Sequence, residues 1–326
     1  MDLSVVIPVY RSAETLSTLF DELAQALGEL GVQWQIVLVD DASPDTSWDV
    51  ICELQRRSPD RIRAIQLSRN FGQHNALMCG FRHADGRFIV TMDDDLQNPP
   101  GEIPKLFRAI RESNADLVYG AYQQKQHSRL RNLATEVVGA FYRKVFGRPF
   151  AFTAYRIFRR ELMEQILAQP VSFVFIDGLF AWHTDRIART VVEHRPRTSG
   201  RSRYTWGKLA RLAVNLFTNF SLLPLQIASW VGGAVTTAGL VLALYCALQL
   251  LFGEQAIRGS LLTIVVVLVI GGIQLLCLGV LGEYVGRVHL NNNGRPQYAI
   301  RTILQPEPMA NPSPDADDQA AKLPQG

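Results

Sequence analysis

Residues 87–100 read RFIVTMDDDLQNPP. An apolar run with the look of a buried strand ends on three consecutive carboxylates, Asp93, Asp94 and Asp95. Like charges side by side repel, so the acids either face water in a turn or gather around a cation. If the chain stays extended through them, side chains alternate: Asp93 and Asp95 share a face and Asp94 points away. Two hard oxygen ligands on one face suit Mg2+ or Mn2+. Magnesium in particular takes one or two carboxylates and fills its other positions with phosphate oxygens and water. A second reading makes the acids a turn before the next helix, with Asn98 as its cap and Pro99 in its first turn. The two readings are compatible.

Working outward, the same design repeats along the front of the chain. Apolar, β-rich runs fall at 3–9, 35–39, 63–67, 87–92 and 117–119. Amphipathic stretches fall between them, at 13–30, 46–57, 73–84 and 102–113. Strands as apolar as SVVIPV and QIVLV, separated by helices, predict an α/β fold with a mostly parallel sheet covered on both faces. In such sheets ligands bind outside the carboxyl ends of the strands. Polar clusters stand at three of those ends, at 10–14, 40–43 and 93–97.

Composition narrows the classes. A formal net charge of +3 over 326 residues is too weak a basic bias to indicate nucleic acid. Cys52, Cys79, Cys246 and Cys277 form no CxxC pair, which argues against a zinc site or a disulfide framework. The start, MDLSVVIPVY, carries no basic n-region or long apolar h-region, so no signal peptide is expected and the front of the chain is expected in the cytoplasm.

The second half changes character. Leu130, Leu133, Val137, Phe141 and Val145 recur at helical spacing among Arg129, Arg131, Arg143, Lys144 and Arg148, which predicts a basic amphipathic helix over about 127–148, either lying at a membrane surface, the reading favoured by the apolar segments downstream, or packed on the sheet with its basic face in water. A further basic stretch, 195–211, leads into an amphipathic helix over 204–221. Two apolar segments follow, about 227–252 and 261–281, each long enough to cross a bilayer as a helix. Their short connector makes them a hairpin within 222–286. Lys208 and Arg211 before it, and Arg287, Arg295 and Arg301 after it, put both flanks and both termini in the cytoplasm. Residues 287–304 read as a cytoplasmic return segment, and the Pro-rich acidic tail 305–326 as disordered.

VVIPVYRSAETL, IVLVDDASPDTSW, LSRNFGQHNALMCGFRHADGRFIVTMDDDLQNPPGEIP, GRSRY and LGEYVGR together resemble glycosyltransferase family 2, and within it the polyprenyl-phosphate glycosyltransferases. The resemblance runs to about Leu304. It implies a GT-A (Rossmann-like) catalytic domain over 1–203, a nucleotide-sugar donor, a divalent cation, a polyprenyl phosphate acceptor, the bacterial inner membrane and a homo-tetramer. Carried over by position, Pro8, Tyr10 and Glu14 line the base pocket, and Asp40 and Asp41 meet base or ribose. Asp93, Asp95 and Gln97 hold metal and diphosphate. Arg129, Arg131, Ser202 and Arg203 meet phosphate groups, with Asp93, Asp95 and Arg203 closest to the chemistry. The pattern departs at PFAFTAYRIFRR, 149–160, where relatives often carry an acidic residue before the FR pair.

A phosphate monoester with a second pKa near ~6 is already a competent oxygen nucleophile at neutral pH, so this chemistry needs no strong general base. It needs a held anion, a positioned anomeric carbon and a stabilised leaving diphosphate. His74, opening a helix, is read as structural, and Asp177 as a weaker candidate base. Two other readings share parts of the pattern. A processive polysaccharide synthase would need more than one hairpin and usually a QxxRW motif, which this chain lacks. A non-catalytic nucleotide-binding scaffold at the membrane would not need the intact DxD with Gln97.

Overall fold

The computed structural model describes residues 1–122, 153–168, 174–195, 259–292 and 296–306, with scattered positions between 230 and 248. The expected basic helix at 127–148, the juxtamembrane helix at 204–221 and the tail from 307 lie outside the described residues. So does most of the first apolar segment.

The front of the chain alternates as expected: β1 (Leu3–Val9), α1 (Leu16–Gly28), β2 (Trp34–Asp40), α2 (Ser47–Arg57), β3 (Ile62–Leu67), α3 (Gln73–Arg82), β4 (Phe88–Thr91), α4 (Ile103–Glu112) and β5 (Leu117–Tyr122). Beyond it come β6 (Arg156–Arg159), α5 (Arg160–Leu167), α6 (Ile176–His183), β7 (Ile187–Val192), α7 (Gly259–Asn292) and β8 (Ile300–Leu304). The eight strands of the described residues form one sheet, in the order β7-β5-β6-β4-β1-β2-β3-β8.

All seven residues of β1 and all seven of β2 are buried, because each sits inside a parallel sheet covered on both sides. Alternation sorts their side chains. Leu3, Val5, Ile7 and Val9 join the core under α1, α2 and α4, whereas Val6 joins the core under α3, α5 and α6. Burying side chains of this size contributes roughly 1.5–3 kcal/mol each, which is why the apolar runs specify the layers. Pro8 is tolerated inside β1 because Val9 O accepts from Asp41 N, so the neighbouring residue faces β4 instead. There the ladder has already stopped at Val6↔Thr91, and a missing N–H costs nothing.

The sheet differs from the expected one in two places. β6 enters antiparallel between β4 and β5, and β8 pairs antiparallel with β3 along one edge. The sheet therefore takes in a strand from the expected return segment, beyond residue 203. The second apolar segment, 261–281, falls within α7, which continues unbroken to Asn292. Judged on the described residues alone, no helix is long and apolar enough to cross a membrane.

Candidate active site

Strand order reverses at β1, with β2 and β3 on one side and β4 on the other. The crevice between the carboxyl ends of β1 and β4 is therefore the topological switch point where such sheets bind ligands. Four loops meet there. The Tyr10 N–H donates to Asp94 Oδ2 at 3.1 Å, and the Ser12 hydroxyl donates to the same oxygen. Thr15 Oγ1 donates to the Asp94 carbonyl at 2.7 Å. From the β2 side, Ser43 Oγ accepts from Arg11 N at 3.1 Å and Ser47 Oγ from Ser12 N at 2.9 Å. From the β3 side, Gln73 Nε2 donates to Asp93 Oδ1 at 2.7 Å.

Three non-glycine residues among those described adopt positive φ: Arg11 (58°), Ala42 (53°) and Leu96 (60°). Each sits in one of these strand-end loops, after β1, β2 and β4 respectively. Left-handed backbone costs such residues about 1–2 kcal/mol, and it persists where the surroundings over-determine it. The hydrogen bonds above supply that constraint. Strain concentrated at one end of one sheet marks the functional end of the domain.

The acids are arranged differently from the simple alternation expected of them. β4 stops at Thr91, so Asp93–Asp95 are not extended; the chain turns through Leu96. Asp94 is nevertheless set apart, because it braces the β1 loop while Asp93 faces Gln73. Asp95 Oδ1 accepts from Gln97 N at 3.2 Å, closing a local turn. Burial, with Asp95 and Asp94 as charged neighbours, pushes the Asp93 carboxyl up to about 7. Burial likewise raises Asp94 above the usual carboxylate range. Oxygen donors crowded to the point of disfavouring their own charge fit a hard divalent cation. Among the described residues no group of three His, Cys, Asp or Glu side chains is set to hold a metal by itself, so remaining positions would fall to a ligand or to water.

The helix cap expected of Asn98 is not formed. Asn98 is buried and accepts from Tyr122 OH at 2.6 Å, while a 3-10 turn at Pro100–Glu102 leads into α4 without a side-chain cap. Of the other expected residues, Tyr10 stands at the crevice, Glu14 is exposed in the same loop, and Pro8 is buried within β1. Asp40 is fully buried, its Oδ1 accepting from Ser43 N at 3.1 Å, and burial raises its carboxyl. Asp41 has a backbone duty: its two oxygens accept from Phe71 N (2.7 Å) and Gly72 N (2.8 Å). Gln97 presents its carbonyl to Arg195 N at 2.9 Å, which fastens the chain leaving β7 to the acid loop. Arg129, Arg131, Ser202 and Arg203 lie outside the described residues.

Asp177 does not stand in the crevice as a free base. It is buried, paired with the Arg156 guanidinium, and accepts from Tyr119 OH at 2.9 Å. Arg156 Nε also donates to Thr91 Oγ1 at 3.1 Å, so the pair underpins the last residue of β4. His74 is partly buried at the start of α3, its ring edge-on to Phe175, with desolvation lowering its basicity.

A family model described as glycosyl transferase family 2 matches residues 4–167, from β1 through α5, and so spans all four loops of the crevice. The chain belongs to glycosyltransferase family 2. Relatives extend the likeness beyond the catalytic core of this glycosyltransferase. An undecaprenyl-phosphate 4-deoxy-4-formamido-L-arabinose transferase of Photorhabdus laumondii is 34% identical over 305 residues, covering 92% of this chain and 94% of its own. The enzyme of the same name from Proteus mirabilis is 35% identical over 305 residues, covering 92% and 93%. Among solved structures, glucosyl-3-phosphoglycerate synthase from Mycobacterium tuberculosis shares the fold, with a TM-score of 0.51 at 19% identity over 65% of this chain and 77% of that one.

Gln73 and Asp41's loop duty escaped the sequence reading. The signal was present in RNFGQ: a glycine before a helix, following a strand, marks a backbone that some neighbour must hold.

Proposed function

We propose that this glycosyltransferase moves a sugar from a UDP-linked donor to undecaprenyl phosphate, with inversion, at the cytoplasmic face of a bacterial inner membrane. The observation that carries the reading is the 33–35% identity to undecaprenyl-phosphate 4-deoxy-4-formamido-L-arabinose transferases over 92% of the chain or more, which includes the apolar second half. The product would be a lipid-linked sugar for cell-envelope glycan or lipopolysaccharide modification.

The crevice supports the donor half. Tyr10 and Glu14 sit beside it for the nucleotide, and Asp93 and Asp95, with Gln97, are the oxygen ligands for Mg2+ or Mn2+. Bound there with the donor diphosphate, the cation would neutralise charge developing on the leaving group. The chain's own residues do the rest. Asp94 keeps the β1 and β4 loops in register, and the Arg156–Asp177 pair beneath Thr91 holds the end of β4. Arg129, Arg131, Ser202 and Arg203 are assigned to the phosphates. Because a phosphate monoester is already ionised near neutral pH, no protein base is required.

The sheet supports the membrane half. β1 and β8 belong to one sheet, so the chain between them passes any bilayer an even number of times, as a hairpin does. β8 enters the sheet with Ile300 opposite Leu67, at the carboxyl end of β3. The chain from Asn292 to Ile300 reaches at most about 29 Å. The end of α7 therefore lies within that reach of the carboxyl end of β3. A bilayer there would deliver a lipid phosphate to the donor. The test is transfer by the purified full chain: undecaprenyl phosphate, Mn2+ or Mg2+ and a panel of UDP-sugars, the formamido-arabinose donor first. Absence of lipid-linked product with every donor would refute the reading.

A further inference from the structure

The segment joining β3 to α3 is tied down more firmly than its length suggests. Each oxygen of the Asp41 carboxylate accepts one backbone N–H, from Phe71 at 2.7 Å and from Gly72 at 2.8 Å. Asn70 Nδ2 adds a bond to the Asp41 carbonyl at 3.3 Å. Gly72 takes φ 90°, with nothing within 4 Å of where a Cβ would stand, so backbone conformation and not crowding calls for glycine. This grip fixes the residue that follows, Gln73, at the first position of α3. Its side chain is exposed, yet its Nε2 reaches Asp93 Oδ1 at 2.7 Å.

These contacts run in one direction, from the end of β2, through the β3 loop, to the end of β4. We propose that Gln73 is a positioning residue for the cation site, holding Asp93 by Oδ1 and leaving Oδ2 for a divalent cation, and that Asp41 acts on Asp93 only through the loop and Gln73. Asp41 is then not a nucleotide ligand. Ordering so flexible an exposed side chain costs about 1.5–2 kcal/mol of entropy, which the charge-assisted bond to Asp93 has to offset. Partners that orient a metal ligand typically change metal affinity by about 10- to 100-fold when removed.

The inference rests on the proposed function only in requiring a divalent cation at Asp93. The test is binding of Mn2+ to the purified full chain in the presence of UDP, with free Mn2+ counted by electron paramagnetic resonance. Gln73→Ala should raise the half-saturating Mn2+ concentration about tenfold, with the thermal midpoint unchanged. Gln73→Leu, of similar size but without the N–H donor, should match that shift. Asp41→Asn should shift Mn2+ in the same direction. Combined with Gln73→Ala, it should add no more than about twofold, because the two act in series. If Asp41→Asn fails to fold, Gly72→Ala displaces the same loop and takes its place in the cycle. Unchanged Mn2+ binding in Gln73→Ala, multiplicative shifts in the double variant, or no Mn2+ binding by the wild type would each overturn the inference. No sugar transfer enters this readout. A missing lipid-linked product alongside shifted Mn2+ binding would defeat the proposed function and leave the positioning role intact.

Discussion

Replacing Asp177 by asparagine separates a structural counter-ion from a catalytic base. Arg156 is 2% exposed and Asp177 7%, so neither charge is shared with water. In the wild type the guanidinium lies against the Asp177 carboxylate, donates to Thr91 Oγ1 at 3.1 Å and sits 5.2 Å over the Phe180 ring. Asp177→Asn leaves Arg156 charged, buried and without its partner. Removing one member of a buried pair costs about 3–5 kcal/mol. For a domain of some 200 residues each kcal/mol is worth roughly 2–4 °C, so the thermal midpoint should fall by about 6–20 °C. The assay is differential scanning fluorimetry of the full chain in detergent, with turnover measured well below the new midpoint. Turnover per folded molecule should stay within about tenfold of wild type, a small loss compared with the removal of a base. The double variant Arg156→Met/Asp177→Leu, which replaces the pair by apolar groups, should recover most of the midpoint. A midpoint within 2 °C of wild type, together with turnover reduced more than 100-fold, would refute the reasoning and restore Asp177 as a base.

Other consequences are independent of that pair. Asp95→Asn should weaken Mn2+ binding with UDP and lower transfer at least ~100-fold, whereas Asp94→Asn should act mainly on stability through the β1 loop; comparing Mn2+ titration with thermal midpoint distinguishes them. The Asp93 carboxyl, pushed up to about 7 against an ordinary value of 3.8, gives a signed pH dependence. The folded state holds a proton that the unfolded state has released between those values, so the cation-free protein should lose stability as pH rises from about 4 to 7. Mn2+ should bind more tightly over the same rise, as it competes with that proton; a cation-free midpoint that climbs from pH 5 to 7 would contradict this. A Cβ at residue 86 would stand 2.5 Å from Ser4 N and 2.6 Å from the Leu3 carbonyl carbon. Gly86→Ala should therefore push β1 from its neighbour and cost about 1–3 kcal/mol or more, read as a lowered midpoint.

What the sequence made legible was set by local pattern. The bounds of β1 are those expected from LSVVIPV, and α2 and α3 begin within a residue of expectation, because alternation and helical period are written in neighbouring residues. β6 and β8 were not legible. Their antiparallel pairing with β4, β5 and β3 depends on partners up to 240 positions away, as in Ala64↔Leu304. The acid triplet was legible as a cluster at a strand end, but not in its geometry. The strand stops at Thr91 and Leu96 turns left-handed, and neither follows from DDDLQ. Asp41 and Gln73 show the same limit: two polar residues in motif-like surroundings, whose duties appear only when Phe71, Gly72 and Asp93 are brought beside them.

The central claim is that sugar passes from a nucleotide to a polyprenyl phosphate. Its most direct test is the partition of radiolabelled sugar from UDP-linked donors into the organic phase, using the purified full chain with and without undecaprenyl phosphate. The account predicts organic-phase label that requires the lipid phosphate, vanishes with EDTA, returns with Mn2+ or Mg2+, and carries the inverted anomeric configuration. Label that stays in the aqueous phase with every donor, or that partitions equally without the lipid phosphate, would contradict it.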